Sequence, residues 1–215
     1  MRKIALNLLA ITFIFASTGF AFDDGDVQFW NTDVIAGSLT DTIKVDAEQE
    51  YRWGDDISDF YYIHSQLQIH FKINDWLSVA PAYRQVFEEK SGEWTNEYRP
   101  LLNATVKCKH NGWELKNRSR IEFRNKENSE DKIRFRHKVT LKLPVEWTEY
   151  SIRPFVADEI FVEEDDGLNR NRAYVGLGAK LTDTIGSTVY YVWQSSDKGD
   201  WVDVHAIGLK FKLSF

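Results

Sequence analysis

The sequence predicts an all-β fold, an antiparallel, up-and-down β-barrel that crosses a membrane. Three observations predict it: long segments of alternating apolar and polar residues, tight turns that alternate with longer polar connections, and a last strand that ends on an aromatic residue. Successive side chains of a β-strand point to opposite faces, so alternation with a period of two indicates strands. No linker-like stretch divides the sequence, and we expect one domain.

A cleaved secretory signal peptide is predicted over residues 1–21. Arg2 and Lys3 precede an apolar run over residues 4–16, and the small side chain of Ala21 precedes the expected cleavage site. The apolar run is shorter than the roughly 20 residues that a membrane-spanning helix needs. The formal net charge of −6 does not favour binding to nucleic acid, and we expect no nucleic-acid partner.

The alternation is clearest between residues 113 and 124. Charged residues stand there at the even positions from Glu114 to Arg124, apolar Trp113 and Phe123 stand at odd positions, and residues 131–143 repeat the pattern. The predicted strand segments are 27–36, 41–53, 59–73, 76–88, 96–109, 113–124, 131–143, 149–162, 169–181, 187–195 and 201–215.

The predicted strand count is about ten, although eleven segments alternate. A bacterial single-chain barrel with both ends in the periplasm has an even number of strands. We therefore predict a barrel over residues 39–215 and treat residues 22–38 as an N-terminal lead that enters the lumen or lies at the periplasmic mouth. Twelve strands are the alternative.

Two kinds of connection separate the segments. Tight turns are predicted at Asn74-Asp75, at Asn111-Gly112, at Pro144 and over residues 183–186, and Asn-Gly is the strongest hairpin sequence among them. The longer polar connections lie near residues 53–58, 88–95, 125–130, 163–168 and 195–200. Short and long connections alternate in outer-membrane barrels, whose periplasmic turns are short and whose outward loops are longer.

A soluble, lipocalin-like barrel would show the same alternation, but the last strand and the aromatic residues favour a membrane. The last strand carries Ile207, Leu209, Phe211, Leu213 and Phe215 on one face. Its aromatic ending resembles the terminal signal of outer-membrane clients, which implies the barrel assembly machinery as a partner. Aromatic residues near strand ends predict two girdles at the lipid headgroups. The predicted girdle residues are Trp53, Trp76, Trp94, Trp113, Trp147, Trp193, Trp201 and Phe215. We expect localisation in the bacterial outer membrane, with its lipids as partners.

If the apolar face meets lipid, the charged face lines the lumen. The predicted luminal charges are Glu48, Glu50, Arg52, Arg84, Glu97, Arg99, Arg118, Arg120, Glu122, Arg124, Arg134, Arg136, Arg153, Glu159, Arg170 and Arg172. One interpretation is a structural lattice of arginine and glutamate that ties facing strands together. The other is a narrow, anion-attracting channel, since rings of one charge sign select ions in pores. Both describe a non-enzymatic barrel.

An outer-membrane hydrolase is the alternative function. Asp203-Val204-His205 has the Asp-x-His spacing of the omptin proteases, and both side chains share one face near the outer rim. No two of the five histidines stand at an i, i+2 spacing, so we expect neither a metal nor a cofactor. Cys108, the only cysteine of the chain, alternates with Ala104 and Val106, which favours an inert thiol on the apolar face.

Ordered motifs along the chain resemble one protein family, the Gram-negative outer-membrane barrels of domain of unknown function 2490. The motifs are Trp30, Glu48-Gln49-Glu50-Tyr51-Arg52, Ala82-Tyr83-Arg84, Asn117-Arg118-Ser119-Arg120-Ile121-Glu122, Arg134-Phe135-Arg136, Pro154 with Glu159, Asn169-Arg170-Asn171-Arg172 and Gly176-Leu177-Gly178. Each motif alone is weakly specific, and their order and spacing carry the resemblance. It implies a barrel in the outer membrane and brings no known activity.

Overall fold

The computed structural model describes residues 24–90, 92–127 and 129–215, and these residues form eleven β-strands. The predicted signal peptide, residues 1–21, lies outside the described residues. The strands are β1 (Asp26–Ser38), β2 (Ile43–Gly54), β3 (Asp59–Lys72), β4 (Leu77–Lys90), β5 (Glu93–His110), β6 (Trp113–Lys126), β7 (Lys132–Lys142), β8 (Arg153–Glu163), β9 (Gly167–Lys180), β10 (Ile185–Asp197) and β11 (Trp201–Ser214).

The strands close into one barrel in chain order, which confirms the predicted fold. From β2 to β11 each strand pairs with the next in antiparallel register. Strand β1 completes the ring: Trp30 stands opposite Arg52 of β2 in an antiparallel pair and opposite Gly208 of β11 in a parallel pair.

Residues 26–38 correct the predicted N-terminal lead. They form β1 in the barrel wall rather than a segment in the lumen or across a mouth, so the described wall has eleven strands where about ten were predicted. Without β1 the facing edges of β2 and β11 would expose unpaired backbone N–H and C=O groups, which are expensive in apolar surroundings. The closing pair is parallel because the first and last of an odd number of alternating strands run in the same direction.

The barrel has two distinct ends. The C-terminal end carries Phe215 and the connections 39–42, 73–76, 111–112, 143–152 and 181–184. The N-terminal end carries Asp24, the connections 55–58, 164–166 and 198–200, and those from β4 to β5 and from β6 to β7. Asn111 and Gly112 both have positive φ (47° and 81°), as a two-residue type I′ hairpin requires. The turn predicted at Pro144 is wider, because residues 143–152 include a further bridge between Trp147 and Ile152.

Apolar side chains cover the outside of the barrel, and polar side chains face the lumen. Exposed large apolar residues follow the outward positions of the strands, as with Leu67, Ile69 and Phe71 on β3. Cys108 is also exposed, in register with outward Leu115. No helix among the described residues is long and apolar enough to cross a membrane.

Two strand glycines make room for one inward-facing tyrosine. Tyr190 lies opposite Gly176 of β9 and Gly208 of β11. A Cβ atom at Gly208 would lie 2.1 Å from the Tyr190 ring, and one at Gly176 would lie 2.7 Å from the Tyr190 Cβ. Gly208 therefore admits a larger residue only if the tyrosine moves, whereas a Cβ at Gly176 would also lie 2.6 Å from the backbone carbonyl oxygen of Val189. The predicted close packing at Gly176 is present, whereas a Cβ at Gly178 would meet nothing within 3.8 Å, its nearest neighbours lying at 3.9 Å.

Candidate functional site in the barrel lumen

The lumen nearer the N-terminal end is filled by arginine and glutamate side chains. We call these residues the ion-pair lattice: Glu97, Arg99, Arg118, Arg120, Glu122, Arg124, Arg134, Arg136, Glu159 and Glu163. They come from β5, β6, β7 and β8, which are consecutive in the wall. Arginine suits such a lattice because its planar fork binds two acceptors and stays charged.

Glu122 is the centre of the lattice. Its side chain has no exposed surface, and its carboxylate contacts three arginines. Arg134 donates from Nε at 2.8 Å and from Nη2 at 2.6 Å to Oε2, while Oε1 accepts from Arg136 at 2.9 Å and from Arg120 at 3.2 Å. The charge of this buried carboxylate is thus fully surrounded by donors, as a buried ion requires.

Glu159 carries the lattice toward the middle of the barrel. Its Oε1 accepts from Arg118 Nη2 at 2.6 Å and from Arg136 Nη2 at 2.8 Å, and its Oε2 accepts from the Tyr174 hydroxyl at 2.9 Å. Arg136 therefore bridges Glu159 and Glu122. The two carboxylates belong to one connected network, which favours the lattice interpretation of this part of the lumen.

Glu97 and Glu163 hold the lattice at the N-terminal end. Glu97 accepts paired hydrogen bonds from Arg99 and from Arg124, the latter at 2.7 and 3.0 Å. Arg124 also pairs with Glu163, and Arg134 Nη1 lies 3.6 Å from the same carboxylate. Glu163 is not among the predicted luminal charges, because the predicted strand ends at residue 162, one residue before the end of β8.

A second group of charges lies on β2, β3 and β4. Glu48 contacts His64 Nε2 at 3.2 Å, Arg84 Nη2 at 3.3 Å and Lys210 Nζ at 3.0 Å. Glu50 accepts from Arg52, whose guanidinium carbon lies 4.0 Å from the centre of the Trp30 ring. The predicted charges of these strands are therefore also compensated, by ion pairs and by cation–π contact.

Arg170 and Arg172, like Arg153, make no ion pair among the described residues. Arg170 donates to Ser196 at 3.1 Å and Arg172 donates to Gln194 at 2.7 Å. Their guanidinium carbons lie 5.5 and 4.8 Å from the centre of the Phe161 ring. Phe161, which is 1 % exposed, is thus a shared cation–π partner in the lumen.

Arg153 lies apart from these groups, at the C-terminal end. Its guanidinium donates to the backbone carbonyl of Leu143 at 2.6 Å and to that of Gly112. It therefore ties together two turns instead of joining the predicted luminal charge cluster.

Every strand contributes a buried inward side chain to the filled part of the lumen. One such set, going round the wall, is Trp30, Tyr62, Val86, Arg99, Glu122, Arg134, Phe161, Arg172, Val192 and Ala206. Strand β2 contributes Arg52, whose side chain is 12 % exposed. Side chains that are buried on all strands leave no open cross-section at that level. We call this level the seal.

The other half of the lumen is open. A cavity of about 930 Å³ extends inward from the C-terminal end, where its mouth is formed by turn residues such as Asp41, Asn74 and Ser151. We call it the lysine cavity, because lysines dominate its charged lining. The charged side chains that line it are Asp41, Lys44, Asp46, His70, Lys72, Asp75, Lys107, Glu114, Lys116, Arg118, Lys138, Lys142, Arg153, Lys180, Lys210 and Lys212.

The lysine cavity is not among the sites that the sequence predicts. The expected anion-attracting residues were arginines, and the structure pairs most of them with carboxylates. The signal that was present is one of position: Lys44, Lys72, Lys116 and Lys142 all stand at inward positions near the strand ends that lie at the C-terminal end of the barrel. Strand direction and side-chain parity together would have placed them at one mouth.

Comparison with known proteins identifies the family. The sequence model of the family described as "Protein of unknown function (DUF2490)" matches residues 27–203. The chain belongs to this family. LpxR from Salmonella typhimurium, an outer-membrane barrel, has a similar structure, with a TM-score of 0.51 over 80% of this chain and 83% of that chain. The identity is 9%, so this likeness shows the fold alone. No curated protein matches the sequence.

On the outside of this DUF2490 barrel the predicted girdle residues lie at two levels. Trp53, Trp94, Trp193 and Trp201 lie near the N-terminal end, and Trp76, Trp113, Trp147 and Phe215 lie near the C-terminal end. At the N-terminal end Trp53 lies 5.4 Å from Phe60 and 5.7 Å from Phe29, measured between ring centres. The aromatic rings thus form bands above and below the apolar surface.

Asp203 and His205 also face outward, near the N-terminal end. Asp203 accepts from Trp193 Nε1 at 3.0 Å and hydrogen bonds with Ser195, whereas His205 Nδ1 lies 2.6 Å from the Tyr191 hydroxyl. Asp203 and His205 thus each hydrogen bond to other side chains, and the described contacts include no hydrogen bond between the two. Among the described residues no cluster of three or more His, Cys, Asp or Glu is placed to hold a metal ion.

Proposed function

We propose that this chain is a non-enzymatic, structural barrel of the bacterial outer membrane whose lumen is closed by the seal. The single observation that carries the proposal is the buried cross-section around Glu122, where inward side chains of every strand fill the lumen. A lumen filled in this way offers ions no continuous water path. The lattice ties adjacent strands together, as expected of a structural interior.

The outer face supports the membrane location. Apolar side chains such as Leu67, Leu115 and Val175 are exposed around the barrel, and aromatic rings lie at both edges of this surface. An exposed apolar band between aromatic girdles is the surface that outer-membrane lipids require. The fold likeness to the outer-membrane barrel LpxR agrees with this location.

The same proposal fixes an orientation and an assembly route. We propose that the C-terminal end, which carries Phe215 and its resemblance to the terminal signal of outer-membrane proteins, faces the periplasm, and that the N-terminal end faces outward. The last strand presents Leu209, Phe211 and Phe215 to the outside. We propose that the barrel assembly machinery binds this strand. Membrane fractionation tests the location, and a heat-dependent shift of the folded band on a gel tests the barrel.

Planar-bilayer recording tests the closed lumen. We expect purified, refolded protein to give no steady conductance, because the seal fills the section. The double variant Trp30→Ala with Phe161→Ala removes two buried rings of the seal, one on β1 and one on β8, and is expected to conduct. A matched variant, Trp76→Ala, removes an exposed outer ring and is expected to stay closed. Steady conductance of the unmodified protein equal to that of the double variant would overturn the proposal.

A further inference from the structure

We propose that the lysine cavity binds a phosphate-bearing anion that carries at least two negative charges. The inference goes beyond the structural role, because a closed barrel needs no positively charged cavity. Four lysines of the lining make no ion pair among the described residues: Lys44, Lys116, Lys138 and Lys212. Cations that are gathered in an enclosed space require a counter-charge, and the protein does not supply enough of it.

Lys116 shows the deficit most clearly. Its side chain reaches the cavity from β6, and the charged groups that act on it most strongly are Arg118, Lys210, Lys142 and Lys107, all of them cations. The acid nearest in sequence, Glu114, already contacts Lys142 at 3.1 Å and Lys107 at 3.2 Å. An anion in the cavity would remove the mutual repulsion of these groups.

The acids that approach the other unpaired lysines are engaged elsewhere. Asp46, which acts on Lys212, already hydrogen bonds with His70. Glu159, which acts on Lys138, already accepts from two arginines and one tyrosine. Lys138 Nζ lies 3.3 Å from the centre of the Tyr174 ring, a cation–π contact that brings no counter-charge.

Arg118 adds a donor at the inner end of the cavity. Its Nη2 binds Glu159 at 2.6 Å, but its Nε atom is enclosed and has no hydrogen-bond partner among the described residues. An enclosed guanidinium N–H without an acceptor is unfavourable, the more so because the group is charged. A ligand oxygen at this position would satisfy it.

The barrel topology decides how many charges the ligand needs. Lys44 on β2 and Lys212 on β11 flank β1, whereas Lys116 on β6 and Lys138 on β7 lie on the diametrically opposite part of the ring. A single small anion contacts one wall, while a ligand with two or more separated charges contacts both. The cavity volume of about 930 Å³ lies within the range of roughly 300–1,000 Å³ that is usual for small-molecule sites.

Phosphate is the group that suits this lining best. Lysine ammonium groups bind phosphate as point charges and do not demand the planar, paired geometry that carboxylates share with arginine. Two sources offer this chemistry at the mouth of a barrel, a soluble polyphosphate compound and the phosphate headgroup of a lipid. Both present several anionic oxygens to the same ammonium groups.

The test is titration calorimetry with refolded protein in a zwitterionic detergent. Tripolyphosphate is the probe for the soluble source, and nanodiscs that contain phosphatidic acid, set against nanodiscs of phosphatidylcholine alone, are the probe for the lipid source. We expect one saturable site for at least one phosphate probe, with affinity that falls as salt rises, and no binding of acetate. If both probes bind, they must compete.

Variants separate the cavity from general charge attraction. Lys116→Gln with Lys138→Gln is expected to weaken binding about tenfold or more, since charge-assisted hydrogen bonds are lost. The corresponding arginine variant, Lys116→Arg with Lys138→Arg, is expected to retain binding. Lys90→Gln with Lys132→Gln removes the same charge at the N-terminal end and should change little.

Three results would overturn the proposal. They are saturable binding of neither phosphate probe, unchanged affinity in the Lys116 and Lys138 glutamine variant, and equal weakening by the Lys90 and Lys132 variant. A heat-dependent gel shift of each variant first establishes that it is folded. Failure here leaves the closed lumen untouched, because conductance is measured separately.

Discussion

The two halves of the lumen each contain one glutamate that contacts three cations, and the two sites behave differently. Glu122 in the seal contacts Arg120, Arg134 and Arg136 and has no exposed surface. Glu114 in the lysine cavity contacts lysines whose side chains are 42 to 67 % exposed. Arginine forks and carboxylates form a connected, buried network, in which each carboxylate contacts at least two arginines, whereas the lysines around Glu114 are partly exposed. The barrel thus separates a filled half from an open half.

The largest effect on stability is expected from removing the central carboxylate of the ion-pair lattice. Glu122→Ala leaves three buried guanidinium groups without their shared acceptor, and the loss of a buried partner costs about 3–5 kcal/mol. The urea midpoint of the refolded variant, compared with the unmodified protein, measures this loss. An unchanged midpoint would mean that water reaches these arginines and that the seal is not dry.

The boundary between the halves gives the next largest effect. Gly208→Ala places a Cβ atom against the Tyr190 ring, and overpacking of this kind costs about 1–3 kcal/mol. Gly178→Ala is the matched control, because its Cβ would meet nothing nearer than 3.9 Å on the same inward face. Thermal unfolding of the two variants should differ, and equal midpoints would contradict the close packing.

A smaller effect is expected from the cavity glutamate. Glu114→Gln removes an acid from solvent-accessible lysines, so the loss of stability should stay below about 1 kcal/mol. The same change adds to the positive charge of the cavity and should tighten tripolyphosphate binding. A stability loss as large as that of Glu122→Ala would show that the two halves do not differ.

The smallest effect concerns pH at the N-terminal end, outside the strands. A hydrogen bond from Lys132 Nζ, 2.7 Å long, lowers the pKa of Asp166 from its usual value of 3.8. Because the pKa is lower in the folded state, the stabilisation is present above the unfolded value and disappears as pH falls through the folded one. An NMR titration of the Asp166 carboxyl in the unmodified protein and in Lys132→Gln measures the difference. Identical titration curves would contradict the ion pair.

Most of the barrel follows from local sequence, and the exception shows what local sequence lacks. Alternation located β6 within two residues, since each side of a strand meets a uniform environment. Strand β1 is the exception: residues 27–36 alternate like the other segments, but the even strand number expected of a bacterial barrel placed residues 22–38 outside the wall. Its place depends on pairing with β11, more than 170 residues away, which no local pattern records.

The luminal site was predicted in its residues but not in its pairing. The sequence places Arg120, Arg134 and Arg136 on inward faces, yet only the register shows that all three contact Glu122. The lysine cavity depends on which strand ends meet at one mouth. That information lies in the topology and not in the spacing of any single segment.

The contrast between the halves is tested most directly by the reactivity of introduced thiols, in a background where Cys108 is replaced by serine. Thr140 lines the lysine cavity, and Val86, 1 % exposed, lies in the seal. We expect Thr140→Cys to react with an anionic methanethiosulfonate about tenfold faster than with a cationic one, because the cavity concentrates anions. Val86→Cys is expected to resist both reagents while the protein is folded. Rapid modification of Val86→Cys, or faster reaction of the cationic reagent at Thr140→Cys, would contradict a sealed lumen with a positively charged cavity.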